Sequence, residues 1–346
     1  MTKENFDEYI GKTRAIEMLG VSRLSFKKII DEGFVSEKKS GKNKLFLVSE
    51  LKDFMDTEEY KKYSDGVVDK RNTLNDLTGK EWLCETKSFF YQKGLGADSP
   101  DAEIEKLHPA PYSFQDAGRL IRLFTKSGMN VLDPFGGVGS TAKACELNGR
   151  LCTSIELSPK WHELSIKRLE REVGDGASKK HTFINGDSRT VLKTMDNNFF
   201  DFIITSPPYW GILDKVDKKV IKNRTQKNLD TKYSDDKNDL GNIENYDEFL
   251  MELVDGVLLE CARVLKFGKY MAVIVSDFRD KSDFLSFHSD LIKALNHASA
   301  PGGGTLELQG TKILLQNHKS LLPYGYPFAY VENIHHQYVL IFRKYK

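Results

Sequence analysis

The chain has 346 residues, a formal net charge of +1, 40% hydrophobic and 29% charged residues, the composition of a folded protein with one large domain and an appendage, or two to three domains. No apolar run approaches the ~18 residues of a membrane span, and the polar, acidic start Met1–Glu8 is no secretory signal, so a cytoplasmic location and no membrane partner are expected. Four cysteines (Cys84, Cys145, Cys152, Cys261) lack paired spacing, which argues against a zinc site or disulfide framework, and the near-zero charge confines nucleic-acid contacts to local clusters.

Residues 1–56 read as a self-contained module. Thr13 is placed to cap a helix over Arg14–Leu19, Gly20 makes a turn, and Ser22 caps a second helix running to about Glu32. Strands are expected at Phe34–Glu37 and Lys44–Val48 around a basic, Gly-containing turn, then a helix over Glu50–Asp56 capped by Ser49. Helix, tight turn, helix and basic hairpin resembles a winged helix-turn-helix of the excisionase or MerR-like type. That resemblance implies DNA binding, with the second helix in the major groove and the wing on the backbone. It presents Ser22, Arg23, Ser25, Lys27 and Lys28, with Lys38, Lys39, Lys42 and Lys44 on the wing. The competing reading is a helical adaptor with a solvated lysine face.

Residues 57–80 read as a charged linker, helical or irregular, before a third region, 81–346. Phe114–Lys126 is a predicted helix with an apolar stripe at Ala117, Leu120, Ile121 and Phe124. Strand Asn130–Leu132 then runs into Asp133-Pro-Phe-Gly-Gly-Val-Gly-Ser-Thr141 and a helix. Glycines between a strand and a helix let backbone approach a ligand closely. Strand Leu151–Ile155 ends at Glu156, a helix covers Pro159–Val173, strand His181–Asn185 ends at Gly186-Asp187, and strand Phe200–Thr205 follows. The series predicts an α/β, Rossmann-like sheet with the polar groups at strand C-termini, where open sheets bind ligands. A lone glycine turn also fits a nicotinamide dinucleotide site. Three acidic strand ends, Asp133, Glu156 and Asp187, repel phosphates and suit a cationic nucleoside. S-adenosylmethionine fits that description.

The strand at Phe200–Thr205 stops at Ser206-Pro-Pro-Tyr-Trp210. Prolines 207 and 208 supply no N–H and hold a fixed φ, so nearby carbonyls are free to point outward beside an aromatic face. Such acceptors suit a planar ring carrying an amino group. Together, Asp133–Thr141 and Thr205–Trp210 resemble the paired signatures of the exocyclic-amino DNA methyltransferases, a likeness running from about Leu77 to the C-terminus in the unpermuted, γ-like order. Serine before the two prolines resembles the branch that methylates cytosine N4.

The resemblance implies an S-adenosylmethionine-dependent methyltransferase sheet, mostly parallel with its last strand antiparallel. It implies that Asp133 and the backbone from Phe135 to Gly139 hold the methionine part of the cofactor, Glu156 the ribose and Asp187 the adenine amino group. Pro134, Gly136, Gly137, Thr141, Leu157 and Ser188 flank these, and Tyr112, Ser113 and Phe114 match a weaker segment that closes over the methionine end. Ser206, Pro207, Pro208 and Tyr209 become the catalytic set. Ser140 before Thr141 departs from the family pattern, with little effect expected.

Residues 211–245 carry Lys215, Lys218, Lys219, Lys222, Arg224, Lys227 and Lys232 and read either as a solvated loop or as a DNA-contacting insert. A helix over Tyr246–Leu265, a strand over Tyr270–Val275, a helix over Phe284–Ala298, a flexible turn at Pro301–Gly304 and a closing strand from His335 complete the reading. His335 and His336 have no ligand partners at metal spacing. No Pro-Cys dipeptide occurs, which argues against carbon-5 cytosine chemistry. The function expected is site-specific methylation of the amino nitrogen of a flipped cytosine in double-stranded DNA. Adenine N6 is the nearest alternative, an RNA guanine amino-methyltransferase a more distant one, and a DNA-binding regulator with an inactive methylase fold a third. A cognate restriction endonuclease, and monomer or dimer, stay open.

Overall fold

The computed structural model describes residues 9–41, 43–64, 68–92, 95, 99, 101–211, 234, 236–280 and 282–346. They form two compact units, 1–86 and 87–346.

In the first unit β1 (Tyr9–Gly11) is followed by α1 (Lys12–Leu19), α2 (Arg23–Asp31), β2 (Lys38–Ser40), β3 (Asn43–Leu47), α3 (Val48–Met55), α4 (Glu58–Ser64) and α5 (Gly79–Glu85). Gly20 ends α1 at φ +62, a conformation that favours glycine, and Ser22 Oγ caps α2 by accepting from Ser25 N–H at 3.0 Å. Two helices joined by a tight turn therefore stand where the sequence places them. The first helix starts earlier than expected, at Lys12 after Gly11 and not behind a Thr13 cap, and α3 starts at Val48 after Leu47 and not behind Ser49. The hairpin also moves. Phe34 and Val35 lie outside any strand, Val35 buried and Phe34 stacked on Phe54 with ring centroids 5.3 Å apart. Pairing starts at Lys38, and β3 lies between β1 and β2, antiparallel to both. Ala15, Leu19, Phe26, Ile29, Phe46, Leu51 and Phe54 make the core, with Tyr60 and Tyr63 packed against it. Residues 58–64 of the expected linker are thus helical and docked, Tyr60 donating to Leu19 O at 2.8 Å.

The second unit is built on an eight-stranded sheet. Its strands are β4 (Phe89–Tyr91), β5 (Asn130–Asp133), β6 (Leu151–Glu156), β7 (Thr182–Asn185), β8 (Phe200–Thr205), β9 (Leu265–Val275), β12 (Thr305–Leu315) and β13 (His336–Tyr345), in the order β4-β12-β13-β9-β8-β5-β6-β7. Strands β7, β6, β5, β8 and β9 are parallel, and β13 runs antiparallel to both β9 and β12. This is the Rossmann-like sheet the sequence predicts, with its last strand reversed. All of β8 is buried, which explains its apolar run Phe202–Ile204; Asp201, also buried, pairs with Lys266 at 2.8 Å. Helices α6 (Ala102–Glu105), α7 (Phe114–Phe124), α8 (Ser140–Leu147), α9 (Pro159–Glu172) and α10 (Ser188–Val191) join the first strands. In α7 the expected stripe Ala117, Leu120, Ile121 and Phe124 is buried.

Three differences follow from chemistry the sequence reading underweighted. The helix Tyr246–Val264 contains a π-helical segment, Val254–Leu258, around Gly256. The expected helix at 284 starts at Phe287, because Phe278–Asp280 (β10) and Asp283–Leu285 (β11) form a hairpin and Asp277 Oδ1 accepts His288 N–H at 3.1 Å. Strand β12 went unread because it breaks register at Gly310. The main core gathers Leu132, Ile155, Ile203, Phe249, Leu258, Met271, Val273, Phe287 and Leu340. Truncating any of these to alanine would cost about 2–5 kcal/mol. No helix among the described residues is long and apolar enough to cross a membrane.

Candidate active site

The C-terminal ends of β5, β6 and β8 open onto one cavity, joined there by the loop after β7. Its lining includes Tyr112, Pro134, Phe135, Gly136, Gly137, Glu156, Leu157, Asp187 and Ser188 from the expected cofactor set, and Ser206, Pro207 and Pro208 from the expected catalytic set. The adjacency of parallel strands produces this. Asp133 pairs in register with Ser154, and Leu132 with Ile203, so residues distant in sequence end at one sheet edge.

Asp133 has a different place from the one expected. It is fully buried and outside the cavity lining. Its Oδ1 accepts from Phe135 N–H at 3.0 Å and Thr205 Oγ1 at 2.9 Å, and its Oδ2 from Tyr112 OH at 2.8 Å and from Thr141 Oγ1. Burial pushes its carboxyl up, while those donors hold it down. Asp133 therefore fastens the glycine turn, α8, the β8 end and Tyr112 to one point. Gly139 and Thr141 also lie outside the lining. Gly139, at φ +77, packs so tightly on α9 that a Cβ would come within 2.9 Å of Ser165 Cβ. Ser113 caps α7 by accepting Gln115 N–H at 3.1 Å, and Phe114 lies under Lys143 Nζ at 4.0 Å. Ser140 lines the cavity and accepts from Arg168 Nη1 at 3.1 Å, so the Ser140 departure has a structural use.

Glu156 faces the cavity. Its Oε2 accepts Gly137 N–H and its Oε1 accepts Ser158 N–H, each at 2.8 Å. Burial nevertheless pushes its carboxyl up to about 7. Asp187 caps α10 and is bound by Arg189, whose Nη2 lies 2.7 Å from Oδ2. Arg189 also reaches Glu252 at 2.8 Å and Asn238 O at 2.9 Å, packed where Gly256 leaves room. The acidic strand end at Asp187 is thus charge-compensated, which the sequence did not reveal.

His108 and Trp161 line the cavity with ring centroids 4.9 Å apart, and Asn238, Asp239 and Leu240 close another side. Sequence reasoning missed all five. The signal for Trp161 was an aromatic one turn into the helix after Glu156; Asp239 had none, since it follows a long insert. Among the described residues lining the cavity, Glu156, Asp187 and Asp239 are acidic and none is lysine or arginine. That donor set fits a cationic, phosphate-free nucleoside.

Ser206 lines the cavity, and Tyr209, outside the lining, is hydrogen-bonded to it. The Tyr209 hydroxyl accepts Gln337 Nε2–H at 2.9 Å, with Ser206 and Ser276 as further partners, and burial pushes its pKa up to about 12. Trp210 donates Nε1–H to Ile243 O at 2.7 Å and packs edge-on against Tyr246. In the first unit Arg23, Lys27, Lys28, Lys38 and Lys39 are exposed, Ser22 and Ser25 hydroxyls bond each other at 2.9 Å, and Lys44 pairs with Glu37 at 2.8 Å. Lys42 lies outside the described residues, as do Lys215, Lys218, Lys219, Lys222, Arg224, Lys227 and Lys232. His335 is engaged by Asn333 O and Lys319 O, and His336 packs edge-on against Tyr338.

A family model described as DNA methylase matches residues 22–167. The chain is similar to DNA methylases over that stretch. It contains the glycine turn and Glu156 and ends before Ser206. No curated protein matches the sequence. Among solved structures, TrmN from Thermus thermophilus is 17% identical over 67% of this chain and 48% of its own, with a TM-score of 0.40. A SAM-dependent methyltransferase from Methanosarcina mazei is 13% identical over 65% of this chain and 97% of its own, with a TM-score of 0.38. A candidate DNA modification methylase, also from Thermus thermophilus, is 22% identical over 46% of this chain and 51% of its own, with a TM-score of 0.29. The chain spans about half the length of TrmN.

Proposed function

We propose that the protein is an S-adenosylmethionine-dependent DNA methyltransferase acting on the exocyclic amino group of a base, with cytosine N4 as the preferred target. The observation that carries this reading is that Ser206, Pro207 and Pro208 border the same cavity as Glu156 and the glycine turn. The match to DNA methylases over residues 22–167 supports DNA as the substrate.

When bound, the cofactor supplies a methyl group on a cationic sulfonium, a strong methyl donor. Glu156, held by Gly137 and Ser158 N–H, would accept from the ribose hydroxyls. Glu156 and Asp239, when ionised, would favour the positive charge, Asp187 being already paired with Arg189. The amino nitrogen of a base is conjugated with its ring and is a poor nucleophile. Ser206 Oγ and the Pro207 carbonyl serve as acceptors that draw its lone pair out of conjugation. The two prolines hold those acceptors rigid, so orientation contributes much of the rate. Tyr209, tied through its hydroxyl to Gln337 and Ser206, keeps this corner fixed and offers its ring to a base flipped from the duplex. Ser206 is a weak base, so the proton leaves to solvent. The exposed face of α2 and the hairpin supply DNA contacts, with Arg23, Lys27, Lys28 and Lys44 against phosphates and base edges and Ser22 and Ser25 at the helix start.

Sequencing of modified bases in DNA from cells producing the protein tests the reading. It predicts N4-methylcytosine at a fixed sequence motif. N6-methyladenine alone would reassign the base. Cofactor binding with no modified base would leave a DNA-binding regulator on a methylase fold.

A further inference from the structure

Between β12 and β13 lies a connection that the cavity does not use. Leu321, Tyr326, Phe328 and Tyr330 are 78%, 81%, 93% and 86% exposed there. Four large apolar side chains this exposed within ten residues of one connection are a candidate binding surface. The connection is nonetheless built. Leu322 N–H donates to Asn333 Oδ1 at 2.9 Å, and Asn333 Nδ2 returns a bond to Leu322 O at 2.8 Å. Phe328 and Ala329 N–H both donate to Gly325 O, at 2.8 and 2.7 Å. Gly325 stands at φ +72, where a Cβ would come within 2.3 Å of Ala329 O. At its base Gln316 N–H donates to His335 O at 2.8 Å.

Both ends of the connection are fixed beside the target motif. Gln337 donates to the Tyr209 hydroxyl at 2.9 Å and accepts from Gln316 Nε2 at 3.4 Å. Next to the aromatics, Arg279, Lys319 and His335, with one carboxylate, Glu332, line a groove of about 640 Å³ with Leu322 and Tyr324. The aromatic tip thus carries Arg279 and Lys319 beside its root and ends next to Gln337, which bonds Tyr209.

We propose that residues 318–335 are the surface on which the protein engages the DNA duplex around its target, with Tyr326, Phe328 and Tyr330 stacking on the bases uncovered when the target base leaves the helix. The proposal rests on the function proposed above. Aromatic faces stack on every base irrespective of sequence, and apolar wedges open base steps, while Lys319 and Arg279 meet the flanking phosphates. A second copy of the chain is the competing occupant, and nothing about it requires anchoring at Tyr209.

The test compares the full chain with a Tyr326→Ser, Phe328→Ser double variant, whose changed side chains are exposed and leave the core intact. Four quantities are read: affinity for a mixed-sequence pool of genomic DNA fragments, labelled-methyl uptake into that pool, S-adenosylmethionine affinity, and sedimentation velocity. The expected result is a ten- to hundredfold loss of DNA affinity and methyl uptake, with cofactor affinity and sedimentation unchanged. Unchanged DNA affinity and uptake would overturn the proposal. A variant that sediments as a smaller species yet binds DNA normally would assign the face to a second copy and also overturn it. If the unaltered chain binds the DNA pool but transfers no methyl, the proposed activity falls, and the affinity comparison still decides the surface.

Discussion

Glu156 illustrates how burial and hydrogen bonding compete at one carboxyl. Two backbone N–H groups favour its ionised form, yet burial dominates and pushes it up to about 7 from an ordinary 4.5. A folded-state value above the unfolded one stabilises the protein below about 4.5, and that contribution is lost as pH rises through 7. Cofactor binding has the opposite demand, because ribose hydroxyls need a carboxylate to accept from them. S-adenosylmethionine affinity should therefore rise several-fold between pH 6 and pH 8. Glu156→Gln should bind at least tenfold more weakly, with that rise abolished; calorimetry at several pH values reads both. Asp133 behaves as a structural knot. Asp133→Asn places an amide nitrogen among side-chain and backbone donors, so stability should fall by about 2 kcal/mol, measured by urea unfolding.

At the scale of elements, the parallel strands and the positions of Glu156, the glycine turn and Ser206–Pro208 were legible because strand C-termini in an α/β sheet converge on one edge. Asp133 was legible as important, but its bonds to Tyr112, Phe135, Thr141 and Thr205 were not, since a buried carboxylate and a ligand-facing one look alike in sequence. The compensation of Asp187 was hidden because it depends on a π-helical turn around Gly256 that gives Arg189 room. Asp239, His108 and Trp161 reach the cavity from segments whose placement only long-range packing decides. The late strand β12 was masked by a glycine bulge. The turn before α8 carries its own prediction. Gly139→Ala forces a side chain into a left-handed position against Ser165, and should cost about 1–3 kcal/mol of stability, seen as a lower thermal midpoint.

At the scale of the whole molecule, the two units carry separable demands. Replacing Arg23, Lys27 and Lys28 by glutamate should weaken DNA binding about tenfold or more and flatten its dependence on salt, because fewer counterions are released. S-adenosylmethionine affinity should be unaffected; equal DNA affinity at every salt concentration would make the first unit an adaptor. The central claim is that the cavity bordered by Glu156 and Ser206 passes a methyl group to DNA. Its most direct measurement is labelled-methyl transfer from S-adenosylmethionine to a mixed-sequence duplex DNA pool by the purified full chain and by Ser206→Ala. The account predicts label on an exocyclic amino nitrogen with the unaltered chain, and about a hundredfold slower transfer at unchanged cofactor affinity for Ser206→Ala. Label absent from DNA, or equal rates for the two proteins, would contradict it.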